Sequence, residues 1–398
     1  MEKKYMKKRK RFMAATLILA LVLSGCSPSK EQDKAETGSK AENKTEKPVK
    51  EKAYQSQLDV IEPAAYGNAE GLQLEKGSYI SIIGKAKEGQ YWETVQKGVK
   101  QAEKDINKLL GYEGKDQVKV TYIAPSKADN VDEQVNILDE ELARYPVAVG
   151  IAIADEQACE VQFDLAADSG IPVVAFDSGS DYQGLLATVS TDNTESARMA
   201  ADKLAESMED QGEVVIFAHS SSSRTGKERE HAFKEQMKKA HPNIKIAEIY
   251  RMDDVEKIEK AIAKEKQKES SAEKEVDTES VSSQEVADYV LKKHPNVKGC
   301  YGTSSGAVKE IVGALDRAGM EDVMVVGFDA DEEQIELMKD GKVDGLVLQN
   351  PFGMGYAAVI AASRAALSMG NEAYVDTGYV WVTKENLESK EVQKMLGK

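Results

Sequence analysis

From residue 79 onward, short apolar runs alternate with longer segments whose apolar residues recur at helical spacing. The predicted strands are at residues 79–83, 118–123, 147–153, 172–176, 185–189, 213–218, 244–250, 297–301, 323–328 and 345–348. The predicted helices are at residues 91–110, 131–143, 156–169, 194–208, 227–240, 307–318, 332–339 and 354–368. Such βαβ repetition requires a parallel sheet with helices on both faces. The pattern forms two runs, divided near residue 194. Together they are longer than a single hydrophobic core usually accommodates, so we expect two α/β lobes.

The N-terminal stretch is basic, then apolar, and ends in Leu-Ser-Gly-Cys at residues 23–26. Its apolar part is too short to span a membrane. The pattern predicts a lipoprotein signal peptide at residues 1–25 and lipidation of Cys26, the alternative being an ordinary signal peptide with a chance Cys. Residues 26–77 are expected to form a lipidated, disordered tether, since residues 29–52 have little to bury. Residues 54–74 are less polar and either belong to this tether or pack against the body.

The charge of the mature chain argues against nucleic acid as a partner. The whole sequence has 53 Lys and Arg and 69 Asp and Glu. Without residues 1–25 the balance becomes 46 against 68, a net charge of −22. Phosphate backbones require a basic footprint, which such a surface lacks.

Motifs for catalysis, nucleotides or metals are incomplete. Residues 302–306 fit Gly-x-Ser-x-Gly, but a hydrolase of that type needs its His after the Ser, and all four histidines precede Ser304. The first Gly of a phosphate loop is replaced by Ser221, and no His-Glu-x-x-His occurs. Cys159 and Cys300 are isolated and are expected to be buried. We therefore expect a protein that is not an enzyme and has no metal or cofactor.

A charged segment at about residues 253–284 interrupts the second run. Val255, Ile258 and Ile262 predict a short amphipathic helix at its start, and residues 264–279 then alternate Lys and Glu. Such a segment is a solvated helix extension or a mobile loop. An insertion without functional consequence is the plainer interpretation.

Polar side chains follow five of the predicted strands, at the point where each strand ends. They are Asp177, Arg224, Ser304, Asp329 and Gln349. Ligands of open parallel sheets bind beyond these strand ends, and the five groups suit directed hydrogen bonds to hydroxyls. With the aromatic pair Tyr91 and Trp92 they fit a sugar, which presents hydroxyl edges and C–H faces. Each alone has an ordinary alternative as a cap, a core residue or a solvated loop residue.

Several motifs carry a family resemblance by their order and spacing. They are QYW at 90–92, IPVVAFDSGS at 171–180, SRTG at 223–226 with Arg229 and Phe233, HP at 294–295, VVGFD at 325–329 and QNP at 349–351. With them the chain resembles the ribose-binding-protein-like substrate-binding proteins of ABC importers, over about residues 78–383. The resemblance implies the type I periplasmic-binding fold, in which two doubly wound parallel-sheet lobes are joined by three crossing segments. Residues 78–190 and about 350–379 would form the first lobe, and residues 191–349 and about 380–398 the second.

The resemblance also implies ligand-binding roles for particular residues. Those that match the family's positions are Tyr91, Trp92, Asp177, Ser178, Arg224 or Arg229, Ser304, Asp329 and Gln349. The aromatic pair would pack on a sugar ring, and the carboxylates would accept hydrogen bonds from its hydroxyls. The spacing leaves open which arginine is the second-lobe ligand. Ser178 stands where many sugar binders have Arg, and Ser304 where Asn is common; both lie in the expected ligand shell, which puts pentose specificity in doubt. Ala232 stands where Gly is usual.

The function implied by the resemblance is capture and delivery of a solute. A lipid-anchored monomer on the outer face of the cytoplasmic membrane, in an envelope of Gram-positive type, would bind a sugar or similar polyhydroxylated solute. It would deliver this ligand to the transmembrane subunits of an ABC permease. The alternative is a sensor of the same fold that reports to a histidine kinase or a chemoreceptor, which the sequence does not separate from transport.

Overall fold

A computed structural model of the protein describes residues 54–270 and 278–398. The predicted signal peptide, Cys26 and the tether up to residue 53 lie outside the described residues. The strands, in chain order, are β1 (Tyr79–Ile83), β2 (Lys119–Ile123), β3 (Ala148–Ile151), β4 (Val173–Phe176), β5 (Thr188–Ser190), β6 (Gly212–Ala218), β7 (Ile244–Arg251), β8 (Val297–Gly302), β9 (Met324–Phe328), β10 (Gly345–Gln349), β11 (Tyr374–Asp376) and β12 (Tyr379–Val382).

The helices alternate with these strands. In chain order they are α1 (Gln55–Leu58), α2 (Gln90–Leu110), α3 (Val131–Leu142), α4 (Glu160–Asp168), α5 (Asn193–Ser207), α6 (Arg224–Ala240), α7 (Glu256–Ser270), α8 (Ser283–Lys293), α9 (Ser305–Ala318), α10 (Glu332–Lys339), α11 (Pro351–Ala366) and α12 (Lys390–Met395). The edge strands β11 and β12 were not predicted, because runs of three and four residues carry too little periodicity to stand out.

The strands form two six-stranded sheets, ordered β11-β5-β4-β3-β1-β2 and β12-β10-β9-β8-β6-β7. Neighbouring strands are parallel, except that β12 runs antiparallel to β10. The chain passes between the sheets after β5, after β10 and after β11. These are the two doubly wound lobes with three crossing segments that were predicted, and the predicted fold class is confirmed.

Each sheet is buried on both faces, as parallel sheets are. In β6, Val215 and Phe217 pack with residues of α8 and α9. Val214 and Ile216 belong to the core on the opposite face, with residues of α5 and α6. Successive strand residues point to opposite faces, so an uninterrupted apolar run such as β6 requires helices on both sides.

Helix α11 carries the chain from the second crossing into the core of the first lobe. Asn350 begins it as a cap, accepting a 2.9 Å hydrogen bond from the N–H of Gly353, and Pro351 is its first residue. The helix packs closely on α2, where a Cβ added at Gly98 would lie 2.0 Å from the carbonyl oxygen of Phe352. Glycine is therefore needed at Gly98 for close helix approach.

Residues 54–77 belong to the folded body. Ile61 and Tyr66 are each 1 % exposed within the core of the first lobe. The backbones of Glu62 and Asp376 exchange two hydrogen bonds of 2.9 Å beside the third crossing. The predicted end of the disordered tether at residue 77 is therefore wrong. The few apolar residues of this segment are ordered because they pack on a surface that α2 and α11 form. Amino-acid composition alone does not reveal that surface.

The charged insertion is partly helical. Helix α7 covers its first half, and Ile262 and Ala263 are buried against the second lobe, which agrees with the predicted amphipathic start. Residues 271–277 lie outside the described residues. Of the cysteines, Cys159 and Cys300 are buried as predicted.

A mild substitution tests whether the N-terminal segment contributes to stability. Ile61→Val is expected to lower the free energy of unfolding by about 1 kcal/mol, since it removes one buried methylene. The neighbouring Val60 is 39 % exposed, so Val60→Ala is expected to cost less than about 0.5 kcal/mol. Urea unfolding of both variants measures the difference. Equal, negligible effects would show that this segment does not pack on the first lobe.

Candidate functional site

Two aspartates directly follow β4 and β9, at corresponding strand ends of the two lobes. Asp177 has φ 59° and Asp329 has φ 70°, both in the left-handed region. Each N–H still pairs with the neighbouring strand, donating to Val189 and Val347 respectively at 2.9 Å. Left-handed backbone is uncommon outside glycine and clusters at functional sites. The matched geometry points to a shared site between the lobes.

The carboxylate of Asp177 is buried and paired. Its Oδ1 accepts a 2.7 Å hydrogen bond from the hydroxyl of Tyr91, and its Oδ2 lies 3.1 Å from the Nζ of Lys85. Burial alone would raise the pKa of Asp177, but Lys85, Tyr91 and Arg229 together lower it. The group is therefore held as a carboxylate. It caps no helix, which removes the ordinary alternative for this residue.

The structure distinguishes the two candidate arginines. Arg229 is 4 % exposed, and its guanidinium lies 3.9 Å from the ring centre of Phe328. It donates to the side chain of Asn193 at 2.8 Å and to the carbonyl of Thr303 at 2.9 Å. Arg224 instead lies at the start of α6, where its partly exposed side chain pairs with carboxylates on the surface. Arg229 therefore joins the hydrogen-bond network that leads to Asp329, whereas Arg224 lines a cavity beside Asp177.

Gln349 connects Arg229 to the second aspartate. Its Oε1 accepts from Arg229 at 3.0 Å and from Thr191 at 2.9 Å, while its Nε2 donates to Asp329 at 2.6 Å. Burial raises the pKa of Asp329, and Arg229 and Gln349 offset only part of that effect. Because Thr191 and Gln349 lie at the first and second crossings, the network also connects Arg229 and Asp329 to the segments that join the lobes.

The remaining predicted residues lie around this network. Tyr91 and Trp92 are partly buried at the start of α2, and their rings pack edge to face at 5.2 Å. Ser178 is buried, with its Oγ 3.3 Å from that of Ser223 in the opposite lobe. The hydroxyl of Ser304 accepts a hydrogen bond from the N–H of Ala307 at 3.3 Å. Ser304 is thus the N-terminal cap of α9, and capping is one of the alternatives to ligand binding given above for the strand-end residues.

Several site residues were not predicted. They are Lys85, Asn193, Ser223 and Thr303, with His219 beside them. Three of these had a usable signal, since Lys85 follows β1, His219 follows β6 and Thr303 follows β8, which places them at strand ends. Asn193 and Ser223 had no such signal, because each lies several residues beyond a strand.

The lobes are in contact across the cleft. Besides the contacts of Ser223, the N–H of Glu332 donates to Gln90 at 2.8 Å, and Arg224 reaches Asp181 at 2.8 Å. One cavity of about 90 Å³ is lined by residues that include Asp329 and Gln349. Another, of about 370 Å³, opens beside Asp177. The structure is a closed form whose site presents directed donors and acceptors.

Metal binding and membrane crossing find no support in the described part of the chain. Within residues 54–270 and 278–398, no three metal-ligating side chains come together. Over the same ranges, no helix is long and apolar enough to cross a membrane.

A model of the periplasmic binding protein domain matches residues 80–371. The chain belongs to this family. Among curated proteins, it is 22% identical to the D-apiose import binding protein of Actinobacillus succinogenes, over 72% of this chain and 81% of the relative. It is 24% identical to the D-allose-binding periplasmic protein of Escherichia coli, over 73% and 86%.

Solved structures of two binding proteins have the same fold. A carbohydrate transporter solute binding protein from Agrobacterium radiobacter, in complex with D-arabinose, is 26% identical with a TM-score of 0.65, covering 80% of this chain and 98% of that one. GanP, a glucose-galactose binding protein from Geobacillus stearothermophilus, is 24% identical with a TM-score of 0.65, covering 79% and 100%. These relatives are binding proteins, in agreement with the prediction that the chain is not an enzyme.

His219 makes the stability of this family member depend on pH. Its Nδ1 lies 2.7 Å from the hydroxyl of Thr303, and burial, with the nearby charges of Arg229 and Lys85, lowers its pKa to about 3. In the unfolded chain the pKa is about 6.5, so below that pH the unfolded state binds a proton that the folded state excludes. Stability must then fall as pH falls, by about 2 kcal/mol between pH 7 and pH 5.

The substitution His219→Asn, which retains a polar atom near the Nδ1 position, is expected to remove this contribution. Urea unfolding at pH 5 and pH 7 compares the two proteins. The loss on acidification is expected to be about 2 kcal/mol smaller in the variant. An equal loss would contradict a neutral, partly buried His219.

Proposed function

We propose that the protein is an extracytoplasmic receptor that captures a sugar or similar polyhydroxylated solute between its two lobes and delivers it to an ABC permease. One observation carries the proposal. Strand-end carboxylates of both lobes, Asp177 and Asp329, lie in the cleft near buried Arg229, whose charge lowers the pKa of both, and the hinge residue Gln349 links Asp329 to Arg229. A solute that bridges such groups stabilises the closed state over the open one.

The chemistry of the cleft supports a polyhydroxylated ligand. Carboxylates accept hydrogen bonds from hydroxyls, Arg229 and Gln349 can donate to their oxygens, and the faces of Tyr91 and Trp92 suit C–H surfaces. A solute of the wrong pattern would leave buried partners unpaired, at about 1–3 kcal/mol each. The relatives named above, for D-apiose, D-allose and D-arabinose, point the same way.

Transport is favoured over sensing, because the relatives include import binding proteins. The proposal includes anchoring through lipid on Cys26, at the outer face of the cytoplasmic membrane, which rests on the N-terminal sequence pattern alone. The ordered segment from residue 54 would then begin where the tether meets the body.

Thermal unfolding of the purified protein with a panel of neutral sugars tests the ligand class. The panel contains D-ribose, D-allose, D-arabinose, D-apiose and D-galactose. At about 100 times its dissociation constant, a ligand stabilises the folded state by about 2.7 kcal/mol, so at least one sugar should raise the melting temperature measurably. Stabilisation by amino acids alone, with no response to any sugar, would overturn the assignment.

A further inference from the structure

The strap, as we call residues 54–62, lies against the segments that join the two lobes and includes α1. The carbonyl of Gln57 accepts a 2.6 Å hydrogen bond from Nδ2 of Asn350 at the second crossing. The backbones of Glu62 and Asp376 pair beside the third crossing. The strap and α12 both lie outside the residues that match the family, so the way they pack together is not a property of the matched domain.

The strap is fixed to the first lobe and reaches the second. Leu58 is buried in the core of the first lobe. The side chain of Gln57 is also buried, and its Nε2 donates a 3.1 Å hydrogen bond to the carbonyl of Met395, the last residue of α12. Met395 and Val392 belong to the core of the second lobe. Carbonyls in the last turn of a helix lack intrahelical partners, so Gln57 caps α12 from the opposite lobe.

This bond joins groups that hinge motion can separate. Gln57 and Met395 are 338 residues apart in sequence, and each is held in the core or against the core of a different lobe. When the lobes turn apart, α1 moves with the first lobe and α12 with the second. A buried donor and acceptor that lose each other do so at a cost in free energy. The bond is made in the closed form, so it stabilises that form over the open one.

We propose that the strap is a fourth connection between the lobes, and that Gln57 is a positioning residue which maintains a closed population before any ligand binds. The apparent affinity of a protein for its ligand scales with the fraction of molecules in the binding-competent conformation. Gln57 therefore raises affinity through the conformational equilibrium. This inference goes beyond the proposed function and does not depend on which solute binds.

The first test measures the closed population without ligand, by pulsed electron paramagnetic resonance. Nitroxide labels are attached at Lys127→Cys and Asp254→Cys, exposed positions in the loops after β2 and β7. These strands form the sheet edges opposite β11 and β12, so the distance between the labels increases as the lobes open. Of the three cysteines in the sequence, two are buried, and Cys26→Ser is present in every sample.

Ligand-free wild type is expected to show a closed fraction, and Gln57→Met is expected to lower it about three- to tenfold, the effect of one net hydrogen bond. The matched control is Gln55→Met on the same helix, because Nε2 of Gln55 donates to Asp59 within the strap and not across the lobes. It should leave the closed fraction within about twofold of wild type. The inference is overturned by a wild type without a closed fraction, by an unchanged fraction in Gln57→Met, or by an equal decrease in Gln55→Met. Circular dichroism checks that each variant is folded.

The second test is calorimetry with whichever of D-ribose, D-allose, D-arabinose, D-apiose and D-galactose stabilises wild type. Gln57→Met should bind this sugar more weakly by the same factor by which its closed fraction falls. A loss of affinity well beyond that factor would assign Gln57 to the ligand site and overturn the inference. A wild type that binds none of the sugars, but whose closed fraction falls in Gln57→Met, would contradict the proposed ligand class and support this inference. Sugar binding with equal closed fractions would overturn this inference alone.

Discussion

Replacing Asp177 with Asn is expected to weaken ligand binding at least 100-fold. The carboxylate accepts from Tyr91 and pairs with Lys85 at the point where the lobes close. Hydrogen bonds to charged groups are worth about 1.5–3 kcal/mol each, and about 1.4 kcal/mol is a factor of ten in affinity. An amide keeps the shape, but it loses the charge that balances a buried ammonium. The loss of binding free energy should therefore arise in the closed, ligand-bound state.

Calorimetry with the ligand found in the sugar panel measures this effect, with circular dichroism to check that the fold is retained. Asp181→Asn is the matched control. It changes an aspartate in the same loop whose side chain is 92% exposed and whose pair with Arg224 lies on the surface. Such pairs contribute about 0–1 kcal/mol, so affinity should stay within about threefold to fivefold of wild type. A loss of affinity in Asp181→Asn without one in Asp177→Asn would place the ligand elsewhere.

Replacing Arg229 with Met is expected to lower the free energy of unfolding by about 3–5 kcal/mol, the usual cost of removing one member of a buried ionic network. The change removes the Arg229 donor from the acceptors on Asn193 and Thr303 and leaves Oε1 of Gln349 with Thr191 as its remaining donor. It also disturbs Asp329, which Gln349 holds at 2.6 Å. Binding should be lost together with stability.

Arg224→Met provides the contrast, because it changes the same residue type on the same helix. Its ion pairs with Asp181 and Glu228 are solvent-exposed or partly so, and the expected cost is below about 1 kcal/mol. Urea unfolding and calorimetry on both variants separate the two arginines. If Arg224→Met abolished binding while Arg229→Met retained it, the assignment of the second-lobe arginine would be reversed.

Much of the fold and part of the site were predictable from sequence. The long strands and helices were found because apolar periodicity is a local property. The position of Asp177, Asp329 and Gln349 in the cleft was predictable because the carboxyl ends of parallel strands share one edge of a sheet. Lys85 was not, although it follows β1, since its partner Asp177 is distant in sequence. The order of residues 54–74 was left open and residues 54–77 were assigned to the tether, because their packing depends on a surface that only the packed helices create.

The sequence by itself determined two parallel-sheet lobes and the sheet edge at which polar groups gather, because apolar periodicity and polar residues at strand ends are local properties of the sequence. Only the tertiary structure decided which groups meet. Arg224 and Arg229 lie five residues apart on α6, so they point about 140° apart around its axis, and the packing of α6 on the second sheet buries Arg229 while Arg224 stays partly exposed. Lys85 reaches Asp177 because β1 and β4 flank β3 in one sheet. Such contacts depend on how elements pack in space, which local pattern does not encode.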